Sequence, residues 1–239
     1  MTDAAQPESA PSPNAPGDAV PAELARLLGT VARFRGEGGC AWYEEQTHAS
    51  LAPYLVEESA ELVEAIEAGS PEDLREELGD VLFQVLFHAD VAAQDPDPTR
   101  RFDLEDVARD QREKLERRNP HVFGPEPTRD IPRILELWHE AKAVEKAHRT
   151  SVLDGIPEPL NPVARASKTL GRAASLGLGA ADAAPADAES ATPEDALGGE
   201  LLALVERARA EGVDPDRALR RAVRRLEDAV RDTESRGKA

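Results

Sequence analysis

The sequence predicts an all-α fold, and three observations carry that expectation. Apolar residues recur at helical spacing through residues 51–92: Leu51, Leu55, Leu62 and Ile66, then Leu74, Leu78, Leu82, Val85 and Leu86. Hydrophobic residues make up 40% of the chain but aromatic ones only 4%, so Leu, Val and Ala must build the core, which favours helices. The sharp break in the stretch, Gly69-Ser70-Pro71, joins a helix end to a helix start. Gly69 suits the end of the first helix, Ser70 an N-cap and Pro71 the first helical position. Glu72 and Asp73 then suit the positive end of the helix dipole.

Composition bounds the rest. The 239 residues allow one or two small domains. A net charge of −18 argues against a nucleic-acid-binding surface and against anionic membranes. It leaves room for a small anionic substrate if metal ions screen the site. Cys40 is the one cysteine, so no intrachain disulfide forms, which suits a reducing cytoplasm. The first residues carry neither the basic nor the apolar segment of a signal peptide, and no apolar run is long enough to span a membrane.

In chain order, residues 1–20 are rich in Ala, Pro, Asp and Ser and read as a disordered tail. A first helix runs from near Pro21 to Arg35, with Leu24, Leu27, Leu28 and Val31 as its apolar stripe. Residues 36–42, Gly-Glu-Gly-Gly-Cys-Ala-Trp, form a loop, and not a phosphate loop, because no Gly-Lys-Ser/Thr follows. Trp42 either covers the core, the favoured reading of the bare residue, or stacks on a base. Thr47 or Ser50 caps the next helix, and His48 reads as a local hydrogen-bonding residue. After the 51–92 hairpin, Pro96 and Pro98 mark a loop, and a helix spans about 104–118. Asn119-Pro120 ends it. Another helix covers Asp130 to about Thr150, followed by a Pro-rich connector, a short helical piece over 164–177 and a flexible acidic stretch over 179–196.

The charged residues carry the chemistry. Glu57, Glu58 and Glu61 lie on the first hairpin helix, and Glu76, Glu77 and Asp80 on the second. Glu58 and Glu61 are i,i+3 and share a face, as do Glu77 and Asp80. A break this short makes the helices antiparallel neighbours. Both pairs stand roughly 10–18 Å from the turn at 1.5 Å rise per residue, level with each other. Four carboxylates then converge on one patch, where like charges repel unless a cation sits between them. All-oxygen ligands without clustered His or Cys point to Mg²⁺ before Ca²⁺ or Mn²⁺. Two solvated acidic faces would give the same pattern. Gly79, costing about 1 kcal/mol inside a helix, suggests close approach of a neighbour.

Basic residues are scarce enough to be informative. Lys114 and Arg118 are i,i+4, so both can face one triphosphate, or pair with Glu113 and Glu116 on their own helix. Trp138 and Lys142 are also i,i+4; read alone, they are a core tryptophan and a solvated lysine. His121, His139 and His148 lack metal-ligand spacing.

Taken in order, Cys-x-Trp…Gln-Thr-His, Glu-Glu-x-x-Glu (57–61), Glu-Leu-Gly-Asp (77–80), Lys-Leu-Glu-Arg-Arg (114–118) and Pro-His-Val-Phe (120–123) resemble the MazG nucleoside triphosphate pyrophosphohydrolases of the all-α NTP pyrophosphatase superfamily. The resemblance covers roughly residues 22–150. It implies a helical bundle formed by dimerisation and Mg²⁺-dependent cleavage of a nucleoside triphosphate, Mn²⁺ being a substitute, to monophosphate and pyrophosphate. It implies metal ligands at Glu58, Glu61, Glu77 and Asp80, the four the hairpin spacing selects. Glu57 either contacts a further metal or orients the attacking water, and Glu57 or Glu61 accepts its proton. Lys114 and Arg118 contact phosphates, with Arg117 a weaker candidate, while Trp138, Lys142 and Trp42 lie near the substrate. One departure stands out: the family's Cys-Pro-Trp-Asp is here Cys40-Ala41-Trp42-Tyr43, which bears on base specificity rather than on the metal site.

The last segment echoes the first. Leu197-Gly198-Gly199-Glu200-Leu201-Leu202 aligns with 77–82, and Arg225-Leu226-Glu227-Asp228-Ala229 with 114–118. Leu197 replaces a ligating Glu and Ala229 a phosphate-binding Arg, so residues 197–239 read as a degenerate second MazG repeat, a helical hairpin broken at Gly212–Pro215. The expected organisation is a tail to residue 20, a catalytic domain over 21–150, connector and linker over 151–196, and this remnant. The expected function is housecleaning of nucleoside triphosphates in the cytoplasm by a homodimer. The rival readings are a non-catalytic acidic scaffold that binds protein partners, and a pyrophosphatase restricted to dUTP, dCTP or a modified nucleotide.

Overall fold

A computed structural model describes residues 19–184 and 192–237. The tail expected over 1–20 falls almost entirely outside them, as does 185–191. Among the described residues there is no strand. Ten α-helices follow in order: α1 Ala19–Arg35, α2 Ala41–Glu44, α3 His48–Ala68, α4 Pro71–Ala93, α5 Leu104–Arg118, α6 Pro120–Phe123, α7 Ile131–Glu145, α8 Pro162–Ala173, α9 Pro193–Ala210 and α10 Pro215–Gly237. They form two compact units, the first ending at Ala141 and the second beginning at Lys142, so the boundary falls inside α7.

The first unit is built on the α3–α4 hairpin. Capping boxes set both helix starts. Thr47 Oγ1 accepts from Ser50 N while Ser50 Oγ accepts from Thr47 N, at 3.1 and 2.9 Å. Ser70 and Asp73 repeat the exchange at 3.2 and 2.7 Å. Each box satisfies two backbone donors that a helix start leaves open. Helix α1 packs on α4, and the core gathers Val31, Leu51, Leu86 and Phe87, with Leu27, Leu28, Tyr43, Phe83, Val91 and Leu104 around it. Phe87 is fully buried, and burying a side chain of that size stabilises by about 1.5–3 kcal/mol. Phe34 stacks on Tyr43 at 4.3 Å, and Tyr43 meets Phe87 edge-on at 5.4 Å, so the few aromatic residues are concentrated at one end of the hairpin. Arg35 also points there, 3.9 Å from Asp90. Burial pushes the Asp90 carboxyl up, against the pull of Arg35.

Only one face of the hairpin is covered. Leu51, Leu86 and Phe87 turn inward, but Val56, Ile66, Leu78, Leu82 and Val85 remain exposed. The apolar spacing therefore defines the helices without separating the stripe that packs within the chain from the stripe that does not. Helix α5 starts under a capping Asp103 and sets Leu104 against the core.

The second unit has a much smaller core: Leu170 of α8, Ala180 and Val205 of α9, flanked by Val163, Ala166 and Leu202. Polar clips supplement it. Glu206 accepts from Ala180 N at 3.0 Å, and Arg209 donates to Ser167 at 3.1 Å. Part of the stretch expected to be a flexible linker is structured: Ala180–Ala183 forms a 3-10 turn. Likewise α9 begins at Pro193 rather than 197, under a capping Thr192. Composition hid both, because Ala, Asp, Pro and Thr serve linkers and helix starts alike.

Candidate metal centre and phosphate-binding residues

The hairpin brings the acidic pairs together. One carboxylate oxygen from each of Glu58, Glu77 and Asp80 lies within 4.8 Å of the other two. Glu61, the fourth expected ligand, is outside this three-carboxylate group but adds its charge to that felt by Glu58 and Glu77. Burial, then Asp80, Glu61 and Glu77, pushes the Glu58 carboxyl above its ordinary value. Burial, then Glu61 and Asp80, does the same to Glu77. Glu77 Oε2 is shut off from solvent and has no hydrogen-bond partner among the described residues. An orphaned acceptor in a cluster of three carboxylates, with a fourth beside it, is what a hard cation fits: clustered oxygen donors and excess negative charge. Glu61 and Glu77, with Glu64 and Asp73, also line a cleft of about 390 Å³ beside the cluster. Glu57 is exposed and outside the three-carboxylate group, one turn from Glu61.

The basic candidates lie on the last turns of α5. On the same helix, Arg112 pairs with Glu113 and Glu116 at 3.2 and 2.8 Å. Arg117 and Arg118 close the helix. The Arg118 guanidinium lies 5.7 Å from the Trp138 ring centre, so α5 and α7 meet through this contact. Lys142 follows one turn later on α7.

Two expectations need correction. Trp42 is not a core residue: it is 49% exposed, edge-on to Tyr43 and Tyr54. The four-residue α2 carries it outward while its neighbour Tyr43 packs on the aromatic cluster. Gly79 does not mark a close approach within the chain, since a Cβ there would meet nothing within 4 Å.

One pairing went unread. His48, taken as a local hydrogen-bonding residue, pairs with His88 of α4, Nδ1 to Nδ1 at 2.8 Å. The ring planes differ by 7° and the centres are 5.1 Å apart, which places the rings head to head in one plane. His48 precedes the turn by about as many residues as His88 follows it, so the spacing that located the carboxylates also located this pair. Gln84, one turn before His88, is 4% exposed, and its Oε1 lacks a partner among the described residues.

Comparison with known proteins now bears on these positions. A family model described as the MazG nucleotide pyrophosphohydrolase domain matches residues 46–123, from the start of α3 to the end of α6. A nucleoside triphosphate pyrophosphohydrolase of Escherichia coli K12 is 36% identical over 233 residues, covering 89% of this chain and 87% of that protein. The chain belongs to the MazG family. Other MazG relatives extend over similar lengths. The nucleoside triphosphate pyrophosphohydrolase/pyrophosphatase MazG of Thermotoga maritima is 36% identical, covering 87% of this chain and 84% of its own. An uncharacterized 26.1 kDa protein of Streptomyces cacaoi is 41% identical, covering 88% and 83%. The MazG match includes every carboxylate of the cluster together with Lys114, Arg117 and Arg118. Trp42, Trp138 and Lys142 lie outside the matched residues.

Proposed function

We propose that this MazG protein hydrolyses nucleoside triphosphates to monophosphate and pyrophosphate with Mg²⁺, and that Mn²⁺ can substitute. One observation carries the reading: the three-carboxylate cluster of Glu58, Glu77 and Asp80, with the orphaned Glu77 Oε2, falls within the stretch matched by a nucleotide pyrophosphohydrolase model. Relatives named as nucleoside triphosphate pyrophosphohydrolases support the reaction class.

In this reading Glu58, Glu61, Glu77 and Asp80 hold the metal. When bound, Mg²⁺ neutralises phosphate oxygens and lowers the pKa of a coordinated water. The protein groups do the rest. Glu57 or Glu61 accepts the proton of the water that attacks the α-phosphorus. Its oxygen forms the new P–O bond as the bond to the bridging α–β oxygen breaks and pyrophosphate departs. Lys114 and Arg118, helped by Arg117, neutralise charge gathering on the departing phosphates. Trp138 keeps the Arg118 guanidinium in place by lying against it. Trp42, Trp138 and Lys142 are the candidates for nucleoside contact, Trp42 being half exposed.

The exposed stripe of Val56, Ile66, Leu78, Leu82 and Val85 supports self-association into a homodimer through the hairpin. The same proposal takes residues 21–150 as the catalytic domain and residues 197–239 as a degenerate second repeat. The cytoplasm suits the single cysteine, and among the described residues no helix is long and apolar enough to cross a membrane. Nucleotide-pool housecleaning is the role this assigns. The test is pyrophosphate release from a panel of ribo- and deoxyribonucleoside triphosphates, with Mg²⁺ and with EDTA. Mg²⁺-dependent release with monophosphate as co-product is expected. A folded protein that turns over no triphosphate would overturn the reading.

A further inference from the structure

Helix α10 is mounted inside out. An amphipathic helix ordinarily turns its apolar stripe to the core. Here the half-buried positions of α10 are polar, among them Asp216, Arg220 and Arg224. Asp216 is held by Arg220 and accepts from Asn161 at 3.2 Å. The apolar stripe faces solvent instead: Leu219, Val223, Leu226 and Val230 are 46–67% exposed. Their spacing of four, three and four residues is that of a coiled-coil seam, not of an accidental surface patch.

The charges on α10 select the partner. Five arginines and no acid lie between Arg217 and Arg225. Between Glu227 and Glu234 there are four carboxylates and one arginine. A helix polarised in this way is complementary to itself when reversed and repels itself when aligned. We propose that α10 pairs antiparallel with α10 of a second copy of this chain, about a two-fold axis between Arg224 and Arg225. Leu219 then meets Val230 of the second copy and Val223 meets its Leu226. Arg224, half-buried, and Arg225, exposed, both point away from the seam. Ala222 and Ala229 flank the seam on one side, small enough for the helices to approach closely.

Four side chains per copy fall short of the roughly 800 Å² per partner typical of a stable free-standing interface. The pairing therefore acts as a second contact in an assembly held mainly by the hairpin, where tethering raises the effective concentration of α10. To that extent it rests on the self-association proposed above.

The test uses the full chain with Cys40→Ser, carrying Ala222→Cys, Ala229→Cys or both, oxidised under mild conditions, with mass measured by light scattering. Both alanines are exposed, so folding is not at stake. Seven residues apart on one helix they stand about 10 Å from each other, beyond disulfide reach, so a bond must join two chains. The expected result is a covalent dimer from the double variant and none from either single variant. Cross-linking by either single variant indicates parallel pairing or random collision and overturns the proposal. A non-covalent dimer whose double variant does not cross-link also overturns it, leaving the hairpin contact intact. A monomeric full chain removes both.

Discussion

At the scale of single residues, Glu58 and Glu77 matter most, because four carboxylates confined by a hairpin are under electrostatic strain without a cation. Their raised carboxyl groups hold protons at a pH where the unfolded chain has released them. Metal-free stability at this site is therefore fullest below about 4.5 and declines as pH rises through the elevated values. Glu77→Gln should raise the melting temperature of the metal-free protein by a few degrees at pH 7, flatten that pH trend, and lower Mg²⁺-dependent turnover about 10²–10³-fold. Thermal melts in EDTA from pH 4 to 8, beside turnover assays, read all three, and a lower melting temperature would refute the account. These residues were legible because the helical period and one short turn fix where each carboxylate lies. Trp42 was not, because nothing in a four-residue helix says which of Trp42 and Tyr43 the aromatic cluster will take in.

At the scale of elements, the turn chemistry around Gly69-Ser70-Pro71 made the start of α4 easy to place. The inward stripe was harder, since Leu78 and Leu82 are as apolar as Leu86 yet stay exposed. Sequence spacing reports that a face is apolar, not whether its cover belongs to the same chain. Gly79 sits one position from Leu78 and has open space around it within the chain. Gly79→Ala should therefore gain about 0.5–1 kcal/mol from helix propensity, raising the melting temperature by a few degrees without nucleotide. A fall would show that a second chain closes on that face, and light scattering of the variant would then show a weakened dimer.

At the scale of the whole molecule, the two units differ in how they are held. The first has a core centred on Phe87; the second relies on a few small residues and polar clips. A fragment covering 21–150 should fold, retain Mg²⁺-dependent turnover within about tenfold of the full chain, and dissociate into monomers at higher concentration than the full chain does. An inactive but folded fragment would show that residues beyond 150 complete the site. The break at Gly212–Pro215 was legible, and the structure places it between α9 and α10. The outward stripe of α10 was not, because a sequence records the stripe but not the direction in which it is mounted.

The head-to-head histidines give the hairpin a second chemical end. One N–H···N bond between coplanar rings needs one shared proton, and a second proton between the same two nitrogens would set two donors against each other. Burial first, then His48, holds His88 below the ordinary value of 6.5, so the unfolded chain takes up protons that the folded pair resists. Stability at this end is present above that value and is lost as pH falls through it. Mild acid thus loosens the hairpin where α3 begins while relieving it near the turn, and a bound divalent ion removes only the second effect. The α3–α4 pair behaves as a clasp whose two ends respond to acid in opposite directions, and an ion held by the carboxylates would leave the histidine end as the one that acid opens.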